Sequence, residues 1–325
     1  MINKKQAILF LGDVMKNKVV IIGCGNVGMS YAYAILNQRT TVTDLVLIDK
    51  LEDKAMGEAS DLNHGLAFGP SKLVIKKGTY SDVVDAKIVC IAAGFNQTTN
   101  ETRMDLIEKN KKIFEEIVNK CMENGFNGIF LIATNPVDIM TYITYKISKL
   151  PNRKIIGTGT TLDTARLRFL ISKKLKINTK NIHAYVMGEH GDSEFISWST
   201  ASVGLLKLDN LLNEKEQNEI CENVKNAAYD IIKKKGNTSF GIGMSLVRIT
   251  NAILSDENSI LSVSSYDKDN KCFFGGPTII NKDGAVKKLY INLSKEEEKK
   301  LKNSINIITS AIKKIDPNFK VGDKK

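Results

Sequence analysis

The segment KVVIIGCGNVGMSYAYAILN, residues 18–37, decides the fold of this chain. After Lys18, the residues VVII form an apolar run typical of a buried strand, and residues 26–37 show helical spacing of apolar side chains. Gly23, Gly25 and Gly28 lie at GxGxxG spacing where the strand passes into the helix. Glycines there permit a tight turn and a close approach of the backbone to a pyrophosphate group at the helix N-terminus. The segment predicts a dinucleotide-binding turn, and a tight turn without a ligand is the weaker alternative.

The next predicted strand, DLVLI, supports a dinucleotide site because it ends at Asp49. Asp49 follows Gly28 by about 20 residues, the distance at which a carboxylate can accept hydrogen bonds from a ribose diol. The same carboxylate would repel a 2′-phosphate. We therefore expect NAD rather than NADP as the cofactor.

Strands and helices alternate along the chain from residue 18 to residue 158, which predicts a Rossmann-type, doubly wound parallel sheet. The alternation then stops, and longer helices and hairpin-like strands predict an α+β substrate domain. These strands are SILSVSSYD, TIINKDGAV with its turn at Asp283, and KLYINL, before a last helix opened by the capping box Ser294 to Glu297. We expect an extension over residues 1–17, an NAD-binding domain over 18–158 and a catalytic domain over 159–325.

Composition excludes several other classes of protein. No apolar run approaches the ~20 residues of a membrane span, and the run AILFL near the N-terminus is too short for a signal sequence. Five cysteines without a CxxC pair are typical of a reduced, cytoplasmic protein. The net charge of +11 raises the possibility of a nucleic-acid partner, but the lysines are scattered among glutamates on helix faces, so we expect none. No metal site is predicted.

Five polar residues form a candidate reactive set. His190, one of three histidines, lies in VMGEHGDSE, while Asp163 and Arg166 are three residues apart on one predicted helix face. Arg103 lies at a loop-to-helix junction, and Asn135 follows a strand, where open α/β sheets bind ligands. Taken singly, each has a structural explanation: a solvated histidine, a helix-terminal acid, a surface cation or a turn former.

Four separated motifs, GCGNVG, NQTTNETR, LDTARLR and GEHGDSE, carry a resemblance to the lactate/malate dehydrogenase family. The chain resembles in particular its bacterial, allosterically regulated L-lactate dehydrogenases, from residue 18 to about residue 315. The resemblance implies that His190 is the acid/base, Asp163 orients it and Arg166 binds the substrate carboxylate. It implies further that Arg103 polarises the substrate carbonyl from a mobile loop and that Asn135 adds a hydrogen bond. The residues implied to contact NAD are Gly23, Gly25, Val27, Gly28, Asp49, Lys54, Tyr80, Gly94, Thr134, Asn135 and Thr158.

The resemblance also narrows the substrate to pyruvate and L-lactate, the pair of the last step of lactic fermentation. Malate dehydrogenases carry an arginine six residues before the loop arginine, where this chain has the uncharged Gln97. Thr238 matches the pocket residue that faces a small substrate side chain. Thr98, Thr99 and Asn100 depart from the Lys-Pro-Gly of close relatives, which leaves loop closure and tolerance of larger side chains open. The alternatives are another 2-hydroxy acid dehydrogenase, malate included, and a dinucleotide-binding protein without turnover.

Two further residues match a regulatory site. Arg168 and His183 occupy the positions at which bacterial L-lactate dehydrogenases bind fructose 1,6-bisphosphate across a subunit interface. The resemblance therefore implies an allosterically activated homotetramer. A buried histidine and an exposed arginine are the alternative explanation of this pair.

Overall fold

The computed structural model describes residues 16–95 and 102–320, apart from the Arg103 side chain. Its main feature is a nine-stranded sheet in the order β14-β13-β12-β6-β5-β4-β1-β2-β3. The fourteen strands of the described residues are β1 (Lys18–Ile22), β2 (Asp44–Ile48), β3 (Val74–Lys77), β4 (Ile88–Ile91), β5 (Ile129–Ile132), β6 (Ile155–Gly157), β7 (Ile182–His183), β8 (Val186–Met187), β9 (Phe195–Ile196), β10 (Ser202–Val203), β11 (Leu206–Lys207), β12 (Ser259–Asp267), β13 (Cys272–Asn281) and β14 (Gly284–Lys288).

Strands β1 to β6 are parallel, and the strand order reverses between β1 and β4. Ligands of doubly wound sheets bind at such a switch point, beyond the carboxyl ends of the strands. The GxGxxG turn follows β1 and therefore lies at this point. The predicted fold class is confirmed.

Eight α-helices surround the sheets in the described part of the chain. They are α1 (Asn26–Asn37), α2 (Glu52–Gly65), α3 (Arg103–Glu123), α4 (Val137–Ser148), α5 (Thr161–Leu175), α6 (Glu214–Lys235), α7 (Phe240–Leu254) and α8 (Lys295–Ile315). Capping boxes at Thr102, Asn213 and Ser294 begin α3, α6 and α8, because each side chain accepts a hydrogen bond from the backbone three residues on. The box predicted at Ser294 is confirmed.

Both faces of the sheet are covered, which explains why its strands are continuous apolar runs. Val20 of β1 lies in one buried cluster with Phe114 of α3, while its neighbour Ile21 lies in another with Tyr31 of α1. Successive side chains of a strand point to opposite faces, so one short segment contributes to two cores. Within the described ranges, no helix is long and apolar enough to cross a membrane.

Two details differ from the sequence-based expectation. The short strand β3 escaped prediction, since only one of its four residues is buried. The strand predicted over KLYINL is wrong, because β14 ends at Lys288 and residues 289–293 form no strand. The Leu289 amide donates to the carbonyl of Pro277 at 2.8 Å, but proline has no N–H to return the bond, so the ladder stops there.

Candidate active site

The GxGxxG turn is shaped by backbone contacts that exclude side chains. A Cβ on Gly28 would lie 2.0 Å from the carbonyl oxygen of Gly23, and Gly23 itself has a φ of +106°. A Cβ on Gly23 would lie 2.5 Å from the backbone nitrogen of Ala93, just after β4. Gly23 thus brings the ends of β1 and β4 together, and Gly28 brings the start of α1 against the turn. Gly25 is different: apart from its own local backbone and chain neighbours, no described atom lies within 4 Å of the position its Cβ would take.

Asp49 lies beside this turn at the end of β2. Its carboxylate accepts a hydrogen bond from the Cys24 amide at 2.7 Å and one from the Leu51 amide at 3.0 Å. The two bonds fix the carboxylate against the glycine turn. The remaining lone pairs suit a ribose diol, because an ionised carboxylate can accept about four hydrogen bonds.

The ends of β4, β5 and β6 supply a second set of predicted cofactor residues. A Cβ on Gly94 would lie 2.4 Å from Cγ2 of Thr134, whose hydroxyl donates to the Ala93 carbonyl at 2.8 Å. Thr158 follows β6, and its amide donates to the Ile132 carbonyl at 2.9 Å. These residues all lie at the carboxyl edge of the parallel strands.

Three further predicted cofactor residues lie in segments that follow strands of the same edge. Val27 is half-buried in the first turn of α1, and Lys54 is exposed in the first turn of α2. Tyr80 follows β3, with the Lys120 ammonium 5.3 Å from the centre of its ring. Contact of these three residues with a cofactor stays a prediction.

Asp163, His190 and Arg166 form one hydrogen-bonded group. Nδ1 of His190 lies 2.8 Å from one carboxylate oxygen of Asp163, and Nη1 of Arg166 donates to the other at 2.8 Å. The Asp163 side chain is only 2% exposed, whereas the His190 ring is 26% exposed. The sequence spacing on α5 and the loop after β8 thus brings the predicted acid/base, its orienting acid and the anion-binding arginine together.

The charges in this group shift the proton affinity of the imidazole. Burial lowers the pKa of His190, but the charge and hydrogen bond of Asp163, aided by Glu194 and Asp138, raise it to about 9. Burial raises the pKa of Asp163, and the cations of His190 and Arg166 outweigh it, so that this pKa is lower than usual. An imidazolium that holds its proton at neutral pH and faces solvent can act as an acid.

Asp138 is a site residue that sequence reasoning missed. Its side chain is buried in the first turn of α4, where one oxygen accepts from the His190 backbone amide at 2.8 Å and the other from the Ser264 hydroxyl. It therefore fixes the loop that carries His190. From sequence, an acid in the first turn of a helix is explained by the helix dipole alone, so nothing marked it as a partner of His190.

The other predicted substrate residues are placed less completely. Asn135 is exposed just after β5, and its carbonyl accepts from Asn110 at 2.9 Å. Arg103 begins α3, and its side chain is not described. Gln97, Thr98, Thr99 and Asn100 belong to residues 96–101, which lie outside the described residues. Thr238 is half-buried just before α7. Gly241, in the first turn of α7, packs against Leu162, the residue before Asp163 in sequence. A common pocket for these residues stays a prediction.

Arg168 and His183 are neighbours on another surface. Nε of Arg168 donates to the Ala184 carbonyl at 3.2 Å, and its guanidinium lies 5.1 Å from the centre of the Tyr185 ring. His183 is exposed on β7, directly before Ala184. The structure therefore places Arg168 against the two residues that follow His183, and the regulatory role of the pair stays a prediction.

Comparisons with known proteins agree over both halves of the chain. Residues 17–157 match the NAD binding domain of lactate/malate dehydrogenases, and residues 160–318 match the alpha/beta C-terminal domain of the same family. The chain belongs to the lactate/malate dehydrogenase family. Its first half is accordingly an NAD-binding unit.

Relatives within the family are similar over nearly their whole length. The chain is 51% identical to an L-lactate dehydrogenase of Oceanobacillus iheyensis over 303 residues, covering 90% of this chain and 94% of the relative. It is 49% identical to L-lactate dehydrogenase 1 of Peribacillus psychrosaccharolyticus, over 94% of this chain and 98% of the relative. A crystal structure of a lactate dehydrogenase from a Medee basin deep-sea metagenome library has a TM-score of 0.89 at 47% identity, covering 91% and 98%. The ligands-bound minor L-lactate dehydrogenase of Enterococcus mundtii has a TM-score of 0.90 at 41% identity, covering 92% and 98%.

The geometry of this family member fits NAD. The backbone at Gly25 has open space for a close approach, at the N-terminus of α1, where amide groups and the helix dipole favour a pyrophosphate. The carboxylate of Asp49 is held against the glycine turn, where it could accept hydrogen bonds from the ribose of the same cofactor. No side chain caps α1, so its first amides are available to a ligand.

A pair of alanine variants separates the two uses of glycine in this turn. Gly28→Ala should lower the melting temperature and abolish NADH binding, because its Cβ would overlap the Gly23 carbonyl. Gly25→Ala should melt like the unmodified protein yet bind NADH at least tenfold more weakly, because its methyl group fills space without touching the protein. Thermal melts and NADH fluorescence titrations measure both. Normal NADH affinity in Gly25→Ala would show that the pyrophosphate does not approach there.

Proposed function

We propose that this NAD-dependent oxidoreductase interconverts pyruvate and L-lactate. The observation that carries the proposal is the hydrogen-bonded group of His190, Asp163 and Arg166, a proton donor held beside an anion-binding side chain. Asp163 and a turn that fits NAD follow parallel strands at the same edge of the sheet, in a family whose similar members bear the name L-lactate dehydrogenase. Together these features supply what the reduction of a 2-oxo acid requires.

In the reduction, NADH when bound supplies the hydride to the carbonyl carbon. His190 donates the proton from Nε2 to the carbonyl oxygen, since Nδ1 is held by Asp163. The Asp163 carboxylate fixes the ring and stabilises the imidazolium before transfer. In lactate oxidation, neutral His190 takes the hydroxyl proton back.

Arg166 binds the substrate carboxylate in this proposal. Its bond to Asp163 uses Nη1, and a planar guanidinium has further donors that match a carboxylate in a bidentate way. Arg103 acts on the developing charge at the carbonyl oxygen and Asn135 adds a hydrogen bond there. Gln97 and Thr238 restrict the substrate to a small monocarboxylate.

The finer assignments form a second part of the proposal. We propose an extension over residues 1–17 and two units over 18–158 and 159–325, assembled into a cytoplasmic homotetramer that serves the last step of lactic fermentation. Self-association is supported by large apolar side chains that are more than half exposed, among them Tyr33 on α1, Met56 on α2 and Met244 on α7. A reduced compartment is supported by five free thiols.

Substrate choice tests the central proposal. Pyruvate should be reduced with a kcat/KM at least a hundredfold above that for oxaloacetate, because nothing at Gln97 would pair the second carboxylate. Gln97→Arg should narrow or reverse the ratio, and Gln97→Asn serves as the uncharged control. NADH oxidation with both substrates measures it. A preference of the unmodified protein for oxaloacetate would assign it to malate instead.

The dependence on pH follows from the raised pKa of His190. Pyruvate reduction needs protonated His190, so its kcat/KM should be level at neutral pH and fall as pH rises through about 9. Lactate oxidation needs the neutral ring and should rise over the same range. Asp163→Asn should move both transitions to lower pH, because it removes the largest charge that raises this pKa. Transitions that stay in place in that variant would contradict the assigned role of Asp163.

Activation by a bisphosphorylated sugar tests the regulatory assignment. Arg168 and His183 would bind phosphate groups of fructose 1,6-bisphosphate where two subunits meet. The sugar should lower the KM for pyruvate and favour the tetramer, as seen in saturation curves and analytical ultracentrifugation. His183→Ala and Arg168→Gln should lose both responses and keep the unactivated rate. If the unmodified enzyme responds in neither assay, the regulatory assignment fails and the catalytic one is unaffected.

A further inference from the structure

Glu194 is a third ionisable side chain at the His190–Asp163 pair. It lies one turn after His190, where its amide donates to the Gly191 carbonyl at 3.1 Å. One carboxylate oxygen of Glu194, one of Asp163 and a ring nitrogen of His190 all lie within 4.8 Å of one another. The Glu194 residue is only 6% exposed. At such distances a charge on Glu194 acts directly on the imidazole.

The surroundings of Glu194 differ from those of Asp163. Asp163 is hydrogen-bonded to two cations, whereas the Glu194 carboxyl group makes no hydrogen bond within the part of the chain that the structure describes. Burial and the nearby Asp163 charge raise the pKa of Glu194 to about 8, against the opposing effects of His190, Arg166 and Lys225. Glu194 is therefore largely protonated at neutral pH.

Glu194 also borders a cavity. It lines a cavity of about 720 Å³ between the loop after His190 and helices α6 and α8. The charged and titratable groups that line this cavity with it are Asp192, Asp209, Glu214, Cys221, Lys225, Glu296, Glu297, Lys299 and Lys300. Outside the cavity lining, the charged groups that act on Glu194 are Asp163, Arg166 and His190. Glu194 therefore lies both on the wall of this cavity and close to the catalytic pair.

We propose that Glu194 is a positioning residue whose ionisation keeps the proton on His190 and so extends carbonyl reduction to higher pH. The inference rests on the proposed function. As pH rises, Glu194 loses its proton before His190 does, since the pKa values are about 8 and about 9. The new negative charge then opposes loss of the imidazolium proton. At neutral and acidic pH, protonated Glu194 leaves the pair unchanged.

The experiment compares Glu194→Gln, an isosteric and permanently neutral variant, with the unmodified protein. Because the chain has three histidines, ¹³C-histidine labelling and NMR titration can follow His190 directly, with His190→Gln assigning its signal. The titration midpoint of His190 should fall by about one pH unit in Glu194→Gln. The midpoint of Glu194→Asp should lie between that of Glu194→Gln and that of the unmodified protein. Glu222→Gln removes the same charge from an exposed position on α6 and should leave the midpoint in place.

Kinetics give a second readout that a merely structural role would not reproduce. The kcat/KM of Glu194→Gln for pyruvate should equal that of the unmodified protein at pH 6 and fall to roughly a fifth of it near pH 9, in line with a shift of about one unit from a pKa of about 9. An unchanged NMR midpoint, or an equal loss of rate at every pH, would overturn the inference. If the unmodified protein does not reduce pyruvate, the proposed function fails, and the NMR midpoint still decides whether Glu194 controls the His190 proton.

Discussion

The buried carboxylate of Asp163 requires compensation, and much of the active site is arranged to provide it. Removing an unpaired charge from water costs several kcal/mol, which is recovered only through well-placed partners. Arg166 supplies one partner from the same helix, three residues on, and His190 supplies the other from a loop that is distant in sequence. The electrostatics of folding thereby bring a proton donor beside an anion-binding group.

The parallel sheet gives this arrangement a defined place. Asp138 and Asp163 lie in the first turns of the helices that follow β5 and β6, while the glycine turn follows β1. Parallel strands end at one edge, so the glycine turn and the two buried carboxylates are brought to the same side of the sheet. The β12 strand extends the sheet by pairing Ser264 with Gly157. Ser264 then donates to Asp138, so that Asp138 of the first half binds both this strand and the His190 loop of the second half.

How much could be predicted depended on whether the signal was local in sequence. The glycine turn and Asp49 were predictable because strand, turn, helix and acid all lie within about 30 residues. The pairing of His190 with Asp163 was predictable from the family resemblance and not from spacing. Asp138 was missed because its partners, the His190 amide and Ser264, are far away along the chain. KLYINL failed as a strand because its apolar alternation could not reveal that Pro277 would be its neighbour.

The site gives three carboxyl groups around one imidazole three different proton affinities. Partner cations keep the pKa of Asp163 lower than usual, while burial raises that of Asp138 to about 6 despite its hydrogen bonds from Ser264 and the His190 backbone. Glu194, without such bonds among the described residues, has the highest value, about 8. Groups of one chemical type whose environments separate their pKa values can take different roles. Asp163 holds the charge on the ring, Asp138 holds the backbone of the loop, and Glu194 acquires its charge only when the ring is about to lose its own.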